Sequence, residues 1–234
     1  MAKLALGIVG GMGPLATLDL FDKIIANTDA AKDAEHIRVY IDCHTDIPDR
    51  TDAILHGGKS PVPYILESAQ KLASIGAKRL LIPCNTSHYF YREIANGSPV
   101  PVLNMVRLTA QHLKNAGVRT VGLLATDGTL QTDVYQRELT ENGIRTLVPD
   151  EAEQREVMRL IYDGVKADAP TFDVSAVSAA VDRLKRAGAE AIVLGCTELP
   201  VAFKRYGVSC AEAIDPALIL ARAAIVEAGY KTRS

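Results

Sequence analysis

The 234-residue chain lacks any apolar run approaching the ~18 to 20 residues that cross a bilayer, so no membrane partner is expected. Its opening, Met1-Ala2-Lys3-Leu4-Ala5-Leu6-Gly7, is too short in its apolar part for a secretory signal and runs into a strand and turn. It also lacks a cluster of Lys and Arg, and the net charge is −2, which argues against a nucleic-acid partner. The four cysteines, Cys43, Cys84, Cys196 and Cys210, include no C-x-x-C pair, so neither a zinc knuckle nor a dithiol motif is signalled and no metal site is expected. Reduced cysteines without a secretory signal point to a cytoplasmic protein. With 17 glycines and 11 prolines, collagen-like and low-complexity classes are excluded. What is present is an ordinary globular composition, 48% hydrophobic and 23% charged, sufficient for one large domain or two small ones.

Short β-rich runs alternate with longer helical patterns. The runs are Leu4 to Val9, Ile37 to Ile41, Leu80 to Pro83, Thr120 to Leu124, Thr146 to Val148 and Ala191 to Leu194. Such alternation predicts an α/β fold built on mostly parallel sheet. Val62, Ile65, Leu66, Ala69, Leu72 and Ala73 mark one buried helix face, and Val174, Val177, Val181 and Leu184 mark another. Gly76 and Gly188 follow these helices, where C-terminal glycines belong.

Those glycines expose an internal repeat. Gly76 to Thr86 aligns with Gly188 to Glu198, and Gly7-Ile8-Val9-Gly10 aligns with Gly122-Leu123-Leu124-Ala125. Each half thus opens with a strand and turn, and later carries a helix, a glycine, an apolar strand and a cysteine. Two pseudo-symmetric α/β halves are expected, residues 1–99 with 210–234 and residues 100–209, with the active site between them. The division falls near Pro99 to Pro101, and the last helix, Pro216 to Ala228, completes the first half.

Cys84 and Cys196 sit in equivalent places, each after the C-terminal end of an apolar strand and before a helix. Ligands bind at that edge of a parallel sheet, and a helix N-terminus lowers the pKa of a thiol. With the halves facing each other across a pseudo-twofold axis, one thiol meets a ligand from each side. Two acid/base groups on opposite faces of one carbon invert its configuration: a thiolate removes a proton and the opposite thiol delivers one. Cys43 and Cys210 are read instead as small buried hydrophobes.

Pro83-Cys84-Asn85-Thr86-Ser87-His88 and Gly195-Cys196-Thr197-Glu198-Leu199 resemble the paired signatures of the aspartate/glutamate racemase family. Gly10-Gly11-Met12-Gly13-Pro14 is similar to its N-terminal turn, and Pro48-Asp49-Arg50-Thr51 to its substrate-binding loop. Leu124 to Thr129 and the region around Gly164-Val165-Lys166 match as well, so the resemblance spans essentially the whole chain in order. Ser87 departs from the alanine more usual there. The resemblance implies two Rossmann-like halves, a homodimer, no cofactor, and Cys84 and Cys196 as the two bases. It further implies substrate contacts from Met12, Gly13, Arg50, Thr51, Asn85, Thr86, Ser87, Thr129, Lys166 and Thr197. Within the family, Gly-Gly-Met-Gly and Cys196-Thr197-Glu198 favour aspartate over glutamate, because glutamate racemases open with Asp-Ser-Gly and carry Gly-Cys-Thr-His. Arg50 paired with Lys166 fits a second carboxylate, which needs a fixed cation. Read alone, Arg50 suggests a surface ion pair and Lys166 a solvated helix residue.

Other readings compete. Gly11-Met12-Gly13-Pro14-Leu15-Ala16 satisfies G-x-G-x-x-A, and with Asp42 it suggests a nicotinamide-dependent oxidoreductase, although Asp42 lies further on than that fingerprint expects. Cys84 and His88 suggest a thiol hydrolase, with His88 otherwise a structural or capping residue. A non-catalytic amino-acid-binding module would need neither cysteine. Isomerases or decarboxylases of small diacids in the same superfamily are the nearest enzymatic alternative. Thr126, Asp127 and Thr129 read as a helix cap, Glu198 as a residue that tunes Cys196 or fills a first helical turn, and Tyr135 as packing.

Overall fold

A computed structural model describes residues 3–233. In chain order, the first stretch forms β1 (Leu6–Gly10), α1 (Pro14–Asn27), β2 (Val39–Cys43), α2 (Arg50–Leu55), α3 (Val62–Ser74), β3 (Arg79–Leu81), α4 (Tyr91–Gly97) and α5 (Met105–Asn115). Then come β4 (Thr120–Leu124), α6 (Asp127–Gln131), α7 (Val134–Glu141), β5 (Arg145–Leu147), α8 (Glu151–Arg159), α9 (Ser175–Arg186), β6 (Ala191–Leu194), α10 (Glu198–Tyr206), β7 (Ala213–Ile214) and α11 (Pro216–Glu227). The chain divides into two units, Met1–Leu108 with Ala217–Ser234, and Thr109–Pro216.

The first unit is built on a three-stranded parallel sheet in the order β2-β1-β3. Every residue of the central strand β1 is buried, because helices cover both faces, whereas the edge strand β2 is only half-buried. Alternation along β1 divides the core. Leu6 and Ile8 pack with Leu20 and Ile24 of α1 and with Leu220, Ala221, Ala224 and Ile225 of α11. Val9, on the other face, packs with Ile65, Ala69 and Leu72 of α3 and with Leu80. The chain's last helix thereby lies on the first sheet, and Leu4 N–H donates to the Ala228 carbonyl at 3.0 Å.

The second unit carries a four-stranded parallel sheet, β5-β4-β6-β7. Its central strands β4 and β6 are wholly buried, and the edge strands β5 and β7 are not. The order β5-β4-β6 reproduces β2-β1-β3, and the packing repeats residue for residue. A Cβ on Gly7 would stand 2.6 Å from Leu80 and 3.3 Å from Leu72; one on Gly122 would stand 2.7 Å from Ile192 and 3.2 Å from Leu184. In each sheet, then, a central-strand glycine admits the helix and the neighbouring strand. The helix exits repeat too: Gly76 and Gly188 have φ of +112° and +99°, and Ala77 and Ala189 donate back to Leu72 and Leu184 at 3.0 Å.

Candidate active site

In the first unit, β1 ends at Gly10 and turns through Gly11, Met12 and Gly13 into α1. Gly11 has φ +90°, and a Cβ there would lie 2.4 Å from the His44 backbone, so that loop closes directly onto the turn. Thr17 locks it: its hydroxyl accepts from Gly11 N–H and donates to the Gly13 carbonyl, both at 2.9 Å. Met12 is buried in one apolar cluster with Ile47 and Cys84.

Arg50 begins α2 behind Asp49, whose carboxylate accepts from Asp52 N–H at 3.0 Å. No surface ion pair forms there. The Arg50 side chain is buried and donates to the carbonyls of Met12 and Pro48 at 3.0 Å and of Ile47 at 3.4 Å, strapping the loop to the glycine turn. Thr51 follows it, half-buried.

Beyond β3, Cys84 N–H donates to the Ile82 carbonyl at 2.8 Å, which turns the chain at the sheet edge. Asn85, Thr86 and Ser87 are all buried, the last two in the short 3-10 helix Thr86–Phe90. The Cys84 carbonyl accepts from the Ser87 hydroxyl at 2.7 Å and from His88 Nδ1 at 2.9 Å. With the proton on Nδ1, His88 Nε2 is an acceptor, and it takes Met105 N–H at 3.1 Å. Burial holds the His88 pKa below its ordinary value. A neutral imidazole with both nitrogens committed to backbone groups is no base for a thiol, which removes the hydrolase arrangement.

In the second unit, Thr126 caps α6: its hydroxyl accepts from Thr129 N–H at 3.3 Å and pairs with the Thr129 hydroxyl at 3.0 Å. Gln154 of α8, which the sequence reading missed, donates to the Ala125 carbonyl at 3.0 Å and to Asp127 Oδ1 at 2.7 Å. Across the adjoining strand end, Gly195 N–H donates to the Leu124 carbonyl at 2.7 Å and leads into Cys196. The Cys196 thiol donates to Glu198 Oε2 at 3.0 Å, and the Thr197 hydroxyl reaches the same oxygen at 3.4 Å. Glu198 is 3% exposed, yet its Oε1 has no hydrogen-bond partner among the described residues.

Burial, followed by the Glu198 carboxylate, pushes the Cys196 thiol well above its ordinary pKa; Lys166 pulls the other way. The helix N-terminus was expected to draw this thiol toward thiolate, and that expectation fails because desolvation and a neighbouring anion outweigh the helix. Lys166 ends a π-helical segment, Leu160–Lys166, that continues α8. It is exposed, as a solvated residue would be, with Nζ 4.2 Å from the centre of the Tyr162 ring. Tyr135 is fully buried packing, as expected.

The expectation of burial fails for the other two cysteines. Cys43 is exposed because it ends an edge strand, and Cys210 is half-buried before β7, its sulfur 3.9 Å from Glu212. Site residues of the first unit therefore gather along its β1, β2 and β3 ends, and those of the second along its β4 and β6 ends with Lys166. Among the described residues no group of three or more His, Cys, Asp or Glu could hold a metal, and no helix is long and apolar enough to cross a membrane.

Comparison with known proteins gives this geometry a family. Aspartate racemase of Picrophilus torridus superposes with a TM-score of 0.83 at 32% identity, covering 98% of this chain and 96% of that one. The broad specificity amino-acid racemase RacX of Bacillus subtilis is 31% identical over 64% of this chain and 66% of its own length. A glutamate racemase of Deinococcus radiodurans is 30% identical over 56% of this chain and 45% of its own. The family model described as Asp/Glu/Hydantoin racemase matches residues 9–224, and the chain belongs to that family.

Proposed function

We propose that the protein is a cofactor-independent amino-acid racemase that interconverts L- and D-aspartate with Cys84 and Cys196 as its two bases. The observation that carries this reading is the repeat itself: two cysteines at the same station, each just past an inner strand of its own sheet. Inversion at Cα requires one group to remove the α-proton and a second to protonate the opposite face of the resulting carbanion. A thiolate and a thiol supply that pair, and their roles exchange when the reaction runs backward.

Aspartate carries two carboxylates and an ammonium. Asn85, Thr86, Ser87, Thr129 and Thr197 offer amide and hydroxyl groups to the α-carboxylate and ammonium, with Met12, Gly13 and Thr51 beside them. Lys166 supplies a cation to the second carboxylate. Arg50 joins it by exchanging part of its hold on the Met12 and Pro48 carbonyls for the substrate, which ties loop order to substrate charge. The aspartate racemase of P. torridus supports this substrate, and RacX supports a wider range. A homodimer is the proposed assembly, measurable by light scattering in solution.

The test is chiral chromatography of L-aspartate, L-glutamate and neutral L-amino acids incubated with the protein. Approach of aspartate to an equal mixture of enantiomers, faster than for the others, is expected. Tight binding of an amino acid without any isomerisation would identify a binding module instead.

A further inference from the structure

The two cysteine loops align residue for residue, but Thr86 stands where the second loop has Glu198. Three observations single out Glu198. It is 3% exposed, its Oε2 lies 3.0 Å from Cys196 Sγ, and its Oε1 is buried with no hydrogen-bond partner among the described residues. A half-satisfied buried carboxylate is costly, and a structural role would be served by a neutral residue such as the one at Thr86.

We propose that Glu198 is the proton store of Cys196, taking the thiol proton when Cys196 must act as base and returning it when Cys196 must act as acid. This rests on the racemase reading and deepens it. The thiol S–H bond breaks along the existing hydrogen bond, its proton moves to Glu198 Oε2, and a thiolate and a neutral carboxylic acid result. The thiolate then takes the α-proton, leaving the electron pair on the substrate, and the Cys84 thiol protonates the other face. When the reaction runs backward, Cys196 gives its proton to the substrate and regains one from the Glu198 carboxyl. Between turnovers Glu198 and Cys84 re-equilibrate their protons with water.

The surroundings suit a local store. Lys166, from the π-helical segment, favours the thiolate, while the Glu198 charge opposes it until that carboxylate is protonated. Tyr135 of α7 keeps its proton, pushed upward by burial, and adds no charge. Cys84 has no such partner in its loop: its carbonyl is held by the neutral Ser87 and His88. Glu198 acts through Cys196 and is a positioning and proton-holding residue.

The experiment compares Glu198→Gln and Glu198→Asp with the parent protein by aspartate racemisation and by the pH dependence of Cys196 alkylation with iodoacetamide, read on the Cys196 peptide by mass spectrometry. Glu198→Gln keeps an acceptor for the thiol but cannot take a proton. It is expected to lower kcat by about 10²-fold with little change in KM, and to move the Cys196 alkylation midpoint to lower pH because the neighbouring anion is gone. Glu198→Asp keeps the charge across a longer gap, so part of the lost kcat returns and the midpoint stays near the parental one. If the Gln protein proves unstable, the Asp protein decides: parental kcat overturns the store. A Gln protein within twofold of parental kcat overturns it, as does lost activity with an unmoved Cys196 midpoint, which marks a structural role. A parent protein that racemises no amino acid defeats the racemase reading instead, and is told apart because the parent itself is then inactive.

Discussion

Cys84 and Cys196 occupy the same station in two copies of one topology, yet the chemistry around them diverges. The loop of Cys84 is held by neutral groups, with the Ser87 hydroxyl and the His88 ring closing on its carbonyl. Cys196 lies against a buried carboxylate and within the field of a lysine. Duplication thus preserved the backbone, where glycine and leucine packing tolerate no variation, and released the side chains that set thiol acidity. The cations differ in the same way: Arg50 is buried and binds backbone carbonyls, whereas Lys166 is exposed and lies over an aromatic ring. One is part of the scaffold and the other is a surface charge.

If both stations are needed, removing either should be equally damaging. Cys84→Ala and Cys196→Ala are each expected to lower racemisation by about 10³-fold or more while leaving the folded state intact. Chiral chromatography with circular dichroism checks this, and near-parental activity in either variant would break the equivalence.

The backbone repeat is tested by size alone. Gly7→Ala and Gly122→Ala each force a Cβ inside 3 Å of a buried side chain. Each should cost about 1 to 3 kcal/mol of stability, read by urea unfolding. Similar costs at the two positions would show that the halves pack alike; a cost at one alone would confine the likeness to the sequence.

The contrast between the cations predicts different losses. Arg50→Ala should reduce stability as well as turnover, because three carbonyls lose a charged donor. Lys166→Ala should leave stability unchanged and raise KM for aspartate by roughly tenfold, with little effect on a neutral amino acid, the low end for a charge-assisted contact because the lysine is exposed. It should also move the Cys196 alkylation midpoint upward, since Lys166 favours the thiolate.

The smallest expected effect concerns pH. His88 has a folded-state pKa below its model value of 6.5, so the unfolded chain binds more protons in that window. Stability should therefore be complete above about 6.5 and fall as the pH drops below it. Urea midpoints at pH 7.5 and 5.5, compared with those of His88→Asn, read this directly: the variant should show a shallower fall.

Much of this was legible before any coordinates, but unevenly. β4 and β6 coincide with the apolar runs Thr120 to Leu124 and Ala191 to Leu194 because central strands are buried on both faces. The edge strand β2 lies two residues beyond the run that announced it, at Val39–Cys43, since half-exposed residues carry a weaker signal. β7, two residues long, left no signal at all. At the site, the cysteine stations and the Thr126 cap were readable from spacing. The burial of Arg50 was not, because its partner Met12 lies far away in sequence. Thr17, one turn after Gly13, was visible only as another helix residue, although a hydroxyl four positions past a glycine turn is placed to reach back to it. The π-helical segment before Lys166 likewise escapes a pattern tuned to α-helical spacing.

The central claim is that two separate groups handle the α-proton, and isotope transfer measures this most directly. L-Aspartate is converted to low extent in D₂O, and both enantiomers are recovered and analysed by mass spectrometry. With separate thiols, the newly formed D-aspartate carries solvent deuterium at Cα, while the recovered L-aspartate remains mostly protiated. A single base reaching both faces would carry its abstracted proton across, and substantial substrate protium in D-aspartate would contradict the account.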